Sequence, residues 1–223
     1  MKKGKLVVLE GIDGSGKSSQ YRRLCERMEQ DGIAYNPIVF PRYDKESSAL
    51  IRMYLAGEFG TRPGDVNAYT ASAFFAVDRF ASYSSDWGVI YKNGGLILSD
   101  RYTTSNAVHQ GCKLSDEELP GFFDWLYDFE HEKLGLPSPD LVLYLDVDLE
   151  TSLARMERRQ ADTHTGADIH EKDVEYLGRC LRTAQRAAEH WGWKRIASRE
   201  GDRLRSMEEI NDEIYSLLRS EIL

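Results

Sequence analysis

Four short stretches rich in apolar residues punctuate the chain: Leu6-Val-Val-Leu9, residues 35–40, Gly95-Leu-Ile-Leu-Ser99 and Leu141-Val-Leu-Tyr-Leu145. Runs of this length with little alternation are what strands covered on both faces require. Between them the period lengthens. From Lys17 to about Gln30, apolar or small residues recur at Ser18, Tyr21, Leu24, Cys25 and Met28, the spacing of one helix face. The second strand stops at Pro41, and residues 47–55 read as a short helix closed by Gly57. A long helical pattern covers about 67–91, with Phe74, Val77, Phe80, Ala81 and Trp87 as its expected buried stripe. After the third strand, helices are expected at about 104–110 and 115–133, the latter opening at Ser115 with Glu118 three residues on. The fourth strand leads to a helix at about 149–159, a polar gap to Ile169 and a helix at about 171–191. Arg195-Ile-Ala197 reads as a last strand and 206–223 as a last helix. Strands alternating with helices imply an α/β domain: a parallel sheet of about five strands between two helical layers.

Length and charge narrow this picture. A chain of 223 residues suits one such domain and is short for two. Its net charge of −8 argues against a nucleic-acid polymer as partner, because such binders carry a basic excess. Cys25, Cys112 and Cys180 are odd in number, far apart and in no metal-ligand spacing, so they read as free thiols of a reducing compartment. The short apolar stretch at the N-terminus is no signal peptide and no membrane span, and a cytoplasmic protein is expected.

In a parallel sheet, ligands collect outside the carboxyl ends of the strands, and that rim is where the chemistry-bearing residues fall. Strand one runs into Gly11-Ile12-Asp13-Gly14-Ser15-Gly16-Lys17-Ser18-Ser19, which fits G-x-x-x-x-G-K-[ST]. Glycines let backbone N–H groups converge on phosphate, the helix opening near Lys17 adds its positive end, and Lys17 adds a full charge. Ser18 is placed to ligate the Mg²⁺ that accompanies ATP. Pro41-Arg42-Tyr43 follows strand two, Asp100-Arg101-Tyr102 follows strand three, and Asp146 and Asp148 follow strand four. Asp100 can hold the metal opposite Ser18, although a strand-end aspartate also caps turns. Arg101 and Arg42 exceed the cationic charge that ATP alone requires, which points to a phosphorylated acceptor.

Phe75 and Arg79 share a helix face, so a ring and a donor could read a base together; the plainer reading is a core phenylalanine and a solvated arginine. Residues 155–171, with Arg155, Arg158 and Arg159, break helical periodicity and read as a mobile lid (about 156–170) that would exclude water, or as an exposed loop. His164 and His170 are six apart with no cysteine nearby, which is no zinc pattern.

Taken together, Glu10-Gly-Ile-Asp13-Gly-Ser-Gly-Lys17-Ser-Ser, Phe40-Pro-Arg42-Tyr43, Phe75-Ala-Val-Asp-Arg79, Asp100-Arg101-Tyr102 with Ser105-Asn106, Leu136-Pro-Ser-Pro139-Asp140 and Asp168-Ile-His170-Glu171 resemble, in order and spacing, the thymidylate kinase family over essentially the whole chain. That resemblance implies a P-loop NTPase fold and ATP- and Mg²⁺-dependent phosphorylation of dTMP to dTDP, usually by a homodimer packed through its long helices. It places Asp13 at the acceptor sugar, Phe75 on thymine, Arg79 at its 4-carbonyl, Arg42 and Arg101 on the acceptor phosphate and Asn106 near the base. Phe40, Tyr43, His109 and His170 join the acceptor side; His109 stands where relatives commonly carry an aromatic near the sugar, and His170 where some carry Tyr. Arg155 would lie against adenine. Because Gly14 and Ser15 are not basic, the family's second catalytic cation would come from the lid, as Arg159 or Arg158, beside Lys17, Arg101 and Asp100. A different nucleoside monophosphate or deoxynucleoside kinase of the same fold is the near alternative. A nucleotide-driven switch protein is the distant one, and its guanine-reading Asn-Lys-x-Asp pattern is missing.

Overall fold

Leu6, Val7, Val8 and Leu9 are all fully buried, but not in one place. Alternation along the strand sends Leu6 and Val8 into one core and Val7 and Leu9 into another on the opposite face of the sheet. The structure, a computed structural model, describes residues 3–163 and 174–223, the side chains of 159–163 excepted. Its main sheet holds β1 (Lys5–Glu10), β2 (Asn36–Val39), β3 (Leu96–Asp100), β4 (Leu141–Asp146) and β5 (Lys194–Ala197) in the order β2-β3-β1-β4-β5. All four neighbouring pairs are parallel, so every strand ends at the same rim.

One face is covered by α1 (Lys17–Gln30) and α9 (Met207–Glu221), packed through Leu24, Met28, Ile214 and Leu218. Ser206 caps α9 reciprocally with Glu209, the pairing that a Ser-x-x-Glu start encodes. The other face carries α3 (Ala68–Ser82), α4 (Gly88–Lys92), α5 (Thr103–His109), α6 (Leu119–Tyr127) and α8 (Val174–Trp191), around a core that includes Trp87, Tyr102, Phe122 and Tyr176. The short α2 (Ala49–Leu55) packs against α3, and α7 (Leu149–Thr163) leaves the β4 end of the rim.

Several sequence expectations need correction. The helix expected over 67–91 is α3 and α4 joined by a π-helical turn, Tyr83–Trp87. Its expected apolar stripe is split: Trp87 is fully buried and Phe74 partly so, but Val77 and Phe80 are 51% and 44% exposed. The buried positions are Ala68, Ala71, Ser72, Ala76, Asp78, Arg79 and Ser82, mostly at helical spacing and largely small or polar, with Arg79 among them facing the site. Helix α6 begins at Leu119, where Pro120 pre-sets the first turn, so Ser115 lies before the helix and its N–H donates to Glu118 at 2.8 Å. Helix α7 continues to Thr163, past the expected end at 159, since no glycine or proline interrupts residues 160–163. A two-residue hairpin, β6 (Arg199–Glu200) with β7 (Arg203–Leu204), turns at Gly201 and is too short to show alternation in sequence.

Candidate active site

The β1–α1 loop has a shape that only glycine allows at two positions. Gly14 and Gly16 have φ of 75° and 88°, the left-handed region. A Cβ on Gly14 would run into the backbone oxygen of Ser152, and one on Gly16 would sit 3.3 Å from Arg155. Helix α7 braces this loop: Ser152 Oγ donates to the Asp13 carbonyl at 2.6 Å, and Arg155 Nη1 donates to the Ser15 carbonyl at 2.9 Å. Arg155 therefore belongs to the loop's support as well as to the cleft it lines. The cleft takes in Ile12 to Ser19, Arg155 and Arg158, with Leu145, Ile196, Met207 and Ile210 as an apolar wall that the sequence reading missed. Gly11 is not on it, because its N–H is turned inward to Glu10 Oε1 at 2.9 Å.

Lys17 and Asp100 meet here as a buried ion pair between the first turn of α1 and the end of β3. Burial lowers the pKa of Lys17 and the Arg101 charge lowers it further, while Asp100 pulls the other way. Ser18, on the same turn, is exposed to the cleft. A hydroxyl and a carboxylate are the oxygen donors a hard cation such as Mg²⁺ takes, so this pair fits that ion. Among the described residues no group of three or more His, Cys, Asp or Glu side chains forms a metal site of its own. An ion there would take the rest of its ligands from nucleotide phosphate and water.

Arg101 has φ of 67°, rare for a side-chain-bearing residue, and this turns its backbone off the strand so that the guanidinium lies across the rim. It donates to Asp13 Oδ1 at 2.7 Å, lies 3.7 Å from Glu10 and is 3.0 Å from His109 Nε2. Because arginine only donates, His109 Nε2 must accept, which puts the ring proton on Nδ1, 3.7 Å from Cys180 Sγ. Burial would lower the Arg101 pKa, but Asp13, Glu10 and Asp100 outweigh it and hold the group above the ordinary arginine value. Glu10, fully buried, also accepts from Thr104 Oγ1 at 2.6 Å and Ser105 Oγ at 2.7 Å.

Asp13 and Arg101 line a second cavity as well as the first, so they form the wall between the two. This second cavity gathers Phe40, Tyr43, Phe75, Arg79, Asn106 and His109 from the sequence expectation, and adds Leu55, Ser105 and Gln110. Phe75 packs edge-on to Tyr54, with ring centroids 6.4 Å apart, which holds its plane. Arg79 is 2% exposed rather than solvated, because Glu130, a residue that no motif flags, takes two of its donors at 2.7 and 2.6 Å. Gln110 Oε1 is buried and has no hydrogen-bond partner among the described residues.

Not every expected residue arrives. Arg42 is not on the cavity wall: its guanidinium is held by Asp78 at 3.2 Å, by Asp86 and by Ser47 Oγ at 3.1 Å. The acidic groups of α3 and the π turn outcompete the rim for it. Of the lid expected at 156–170, the first part is the end of α7, and residues 164–170, His164 and His170 among them, lie outside the described residues, as does the Arg159 side chain.

A phosphate-cradling loop on a β2-β3-β1-β4-β5 parallel sheet, opening across a shared wall onto a second polar cavity, defines a P-loop phosphotransferase with two substrates. The profile of the thymidylate kinase family matches residues 9–210. The thymidylate kinase of Mycobacterium tuberculosis is 30% identical over 190 residues, 84% of this chain and 87% of that protein. The probable thymidylate kinase of Pyrococcus horikoshii is 30% identical over 222 residues, 99% of this chain and 98% of its own. In fold, the chain is similar to thymidylate kinase from Candida albicans, with a TM-score of 0.71 at 20% identity over 98% of this chain and 92% of that one. This chain belongs to the thymidylate kinase family, and its reaction is ATP-dependent phosphorylation of dTMP.

Proposed function

We propose that the glycine-loop cleft takes ATP with Mg²⁺, that the second cavity takes dTMP, and that the γ-phosphoryl passes between them at the Asp13–Arg101 wall. The observation that carries this reading is that, among the described residues, these two alone line both cavities. The loop N–H groups and Lys17 cradle the triphosphate, and Lys17 exchanges Asp100 for phosphate oxygen as ATP enters. Ser18 and Asp100 would hold Mg²⁺, which when bound would neutralise phosphate charge. Arg101 offers its fork to the acceptor phosphate, and Asp13 offers its carboxylate to the sugar hydroxyl. Phe75 stacks on the base, with Phe40, Tyr43 and His109 completing the cavity. The acceptor oxygen is already anionic, so positioning and charge neutralisation suffice without a strong base.

Arg155 and Arg158 flank the ATP cleft, and Arg158 or Arg159 is the cation that α7 brings to the transferred group. The chain works as one kinase domain in the cytoplasm; among the described residues no helix is long and apolar enough to cross a membrane. The outward Val77 and Phe80 of α3 are the surface through which two copies pair. Light scattering should then give twice the 25.5 kDa chain mass, and a monomer at assay concentration would refute the pairing. The reading as a whole is tested by ADP release over a panel of nucleoside monophosphates. dTMP should give the highest kcat/KM, with dUMP next and dCMP slower by about a hundredfold or more. A purine monophosphate at the top of that ranking would overturn the assignment of the second cavity.

A further inference from the structure

Glu130 lies in the π-helical turn Asp128–Lys133 that continues α6, fully buried and outside the lining of the acceptor cavity. Its carboxylate is nevertheless the junction of two residues that do line it. Arg79 donates to it through Nε at 2.7 Å and Nη2 at 2.6 Å, and Asn106 donates through Nδ2 at 2.9 Å, sharing Oε1 with Arg79 Nη2. The other Asn106 Nδ2 hydrogen goes to the Ser72 carbonyl at 3.0 Å.

These bonds fix the orientation of both side chains. Both Nδ2 hydrogens face acceptors, a carboxylate and a carbonyl, and a flipped amide would set its own oxygen against both. The Asn106 amide is therefore locked with Oδ1 as the atom left for the cavity. Arg79, with Nε and Nη2 engaged, has Nη1 left in the same way. Because both side chains bind one carboxylate oxygen, the cavity is offered a fixed donor beside a fixed acceptor.

We propose that Glu130 is the positioning residue that sets base specificity in this enzyme, although it touches no substrate. A thymine edge carries an acceptor, O4, beside a donor, N3–H; cytosine carries an amine donor beside a bare N3 acceptor. Donor and acceptor held in the Arg79–Asn106 order match the first and oppose the second on both counts. Without the carboxylate, the amide of Asn106 can turn and the Arg79 fork is no longer aimed. This inference rests on dTMP occupying the second cavity.

The test is Glu130→Gln, which keeps the shape but sets an NH₂ group against the donors of Arg79 or Asn106. The KM for dTMP should rise by about tenfold or more with the KM for ATP unchanged, and the dTMP-to-dCMP ratio of kcat/KM should fall by about tenfold. A merely structural role would lower the melting temperature and leave that ratio alone. Because the ratio is taken on the same folded molecules, it can be read even from a preparation that is partly unfolded. Glu130→Asp keeps the charge opposite buried Arg79 while withdrawing the oxygens by one methylene, and it should shift the ratio in the same direction. Wild-type ratios in both variants would overturn the role of Glu130 while leaving the assignment of the cavity intact. Wild-type enzyme that accepts dCMP as readily as dTMP would instead overturn the assignment, and the inference with it.

Discussion

Arg101→Ala should cut turnover of dTMP by about a thousandfold while ATP affinity stays within about threefold. The guanidinium occupies the wall between the two cavities, held by Asp13 and His109 in a pose its unusual backbone angle imposes. With Arg101 in the role proposed for it, alanine removes a phosphate donor that water cannot replace at the same position. The fold should survive, because buried Glu10 keeps its bonds from Gly11 N–H, Thr104 and Ser105. Arg101→Lys should recover little, since one ammonium cannot serve Asp13, His109 and a phosphate at once. Steady-state kinetics in both substrates decide this, and a kcat/KM for dTMP within threefold of wild type would remove Arg101 from the mechanism.

Lys17→Ala should be nearly as damaging to turnover, again by about a thousandfold, but through ATP and with a second signature. Lys17 and Asp100 are both about 6% exposed, so deleting the lysine strands a carboxylate in a site closed to bulk solvent. Breaking a buried pair by removing one partner costs about 3–5 kcal/mol, which a lowered urea midpoint would register. Loss of stability with turnover intact would make the pair structural. Loss of turnover together with weakened ATP binding is the expected result.

Elements whose physics is local were legible in the sequence. The three central strands were readable because burial on both faces requires unbroken apolar runs, and α1 because a glycine loop opens it and its apolar period is regular. The glycine loop, Phe75, Arg79 and Arg101 were singled out because each sits at a strand end or a helical spacing, and Asn106 because of the family resemblance; all of them line one of the two cavities. What failed was everything decided by a partner distant in sequence. Glu130 pairs with Arg79 across 51 residues, and Asp78 captures Arg42 across 36. Periodicity says which face a side chain occupies and nothing about which carboxylate folds over it. Val77 and Phe80 of α3 misled for a related reason: apolar spacing placed them inward, whereas the inward face of α3 carries polar groups such as Asp78 and Arg79.

Four cations in and beside this site come with resident counter-ions: Lys17 with Asp100, Arg101 with Asp13, Arg79 with Glu130, and Arg42 with Asp78 and Asp86. A cleft arranged in this way is no sponge for stray anions. An inorganic phosphate or sulfate offers too few contacts to displace a built-in carboxylate, whereas a nucleotide brings base, sugar and phosphate to bear together. The selectivity of the empty enzyme against the small oxyanions around it is thus written in carboxylates whose charge the site's own cations largely offset.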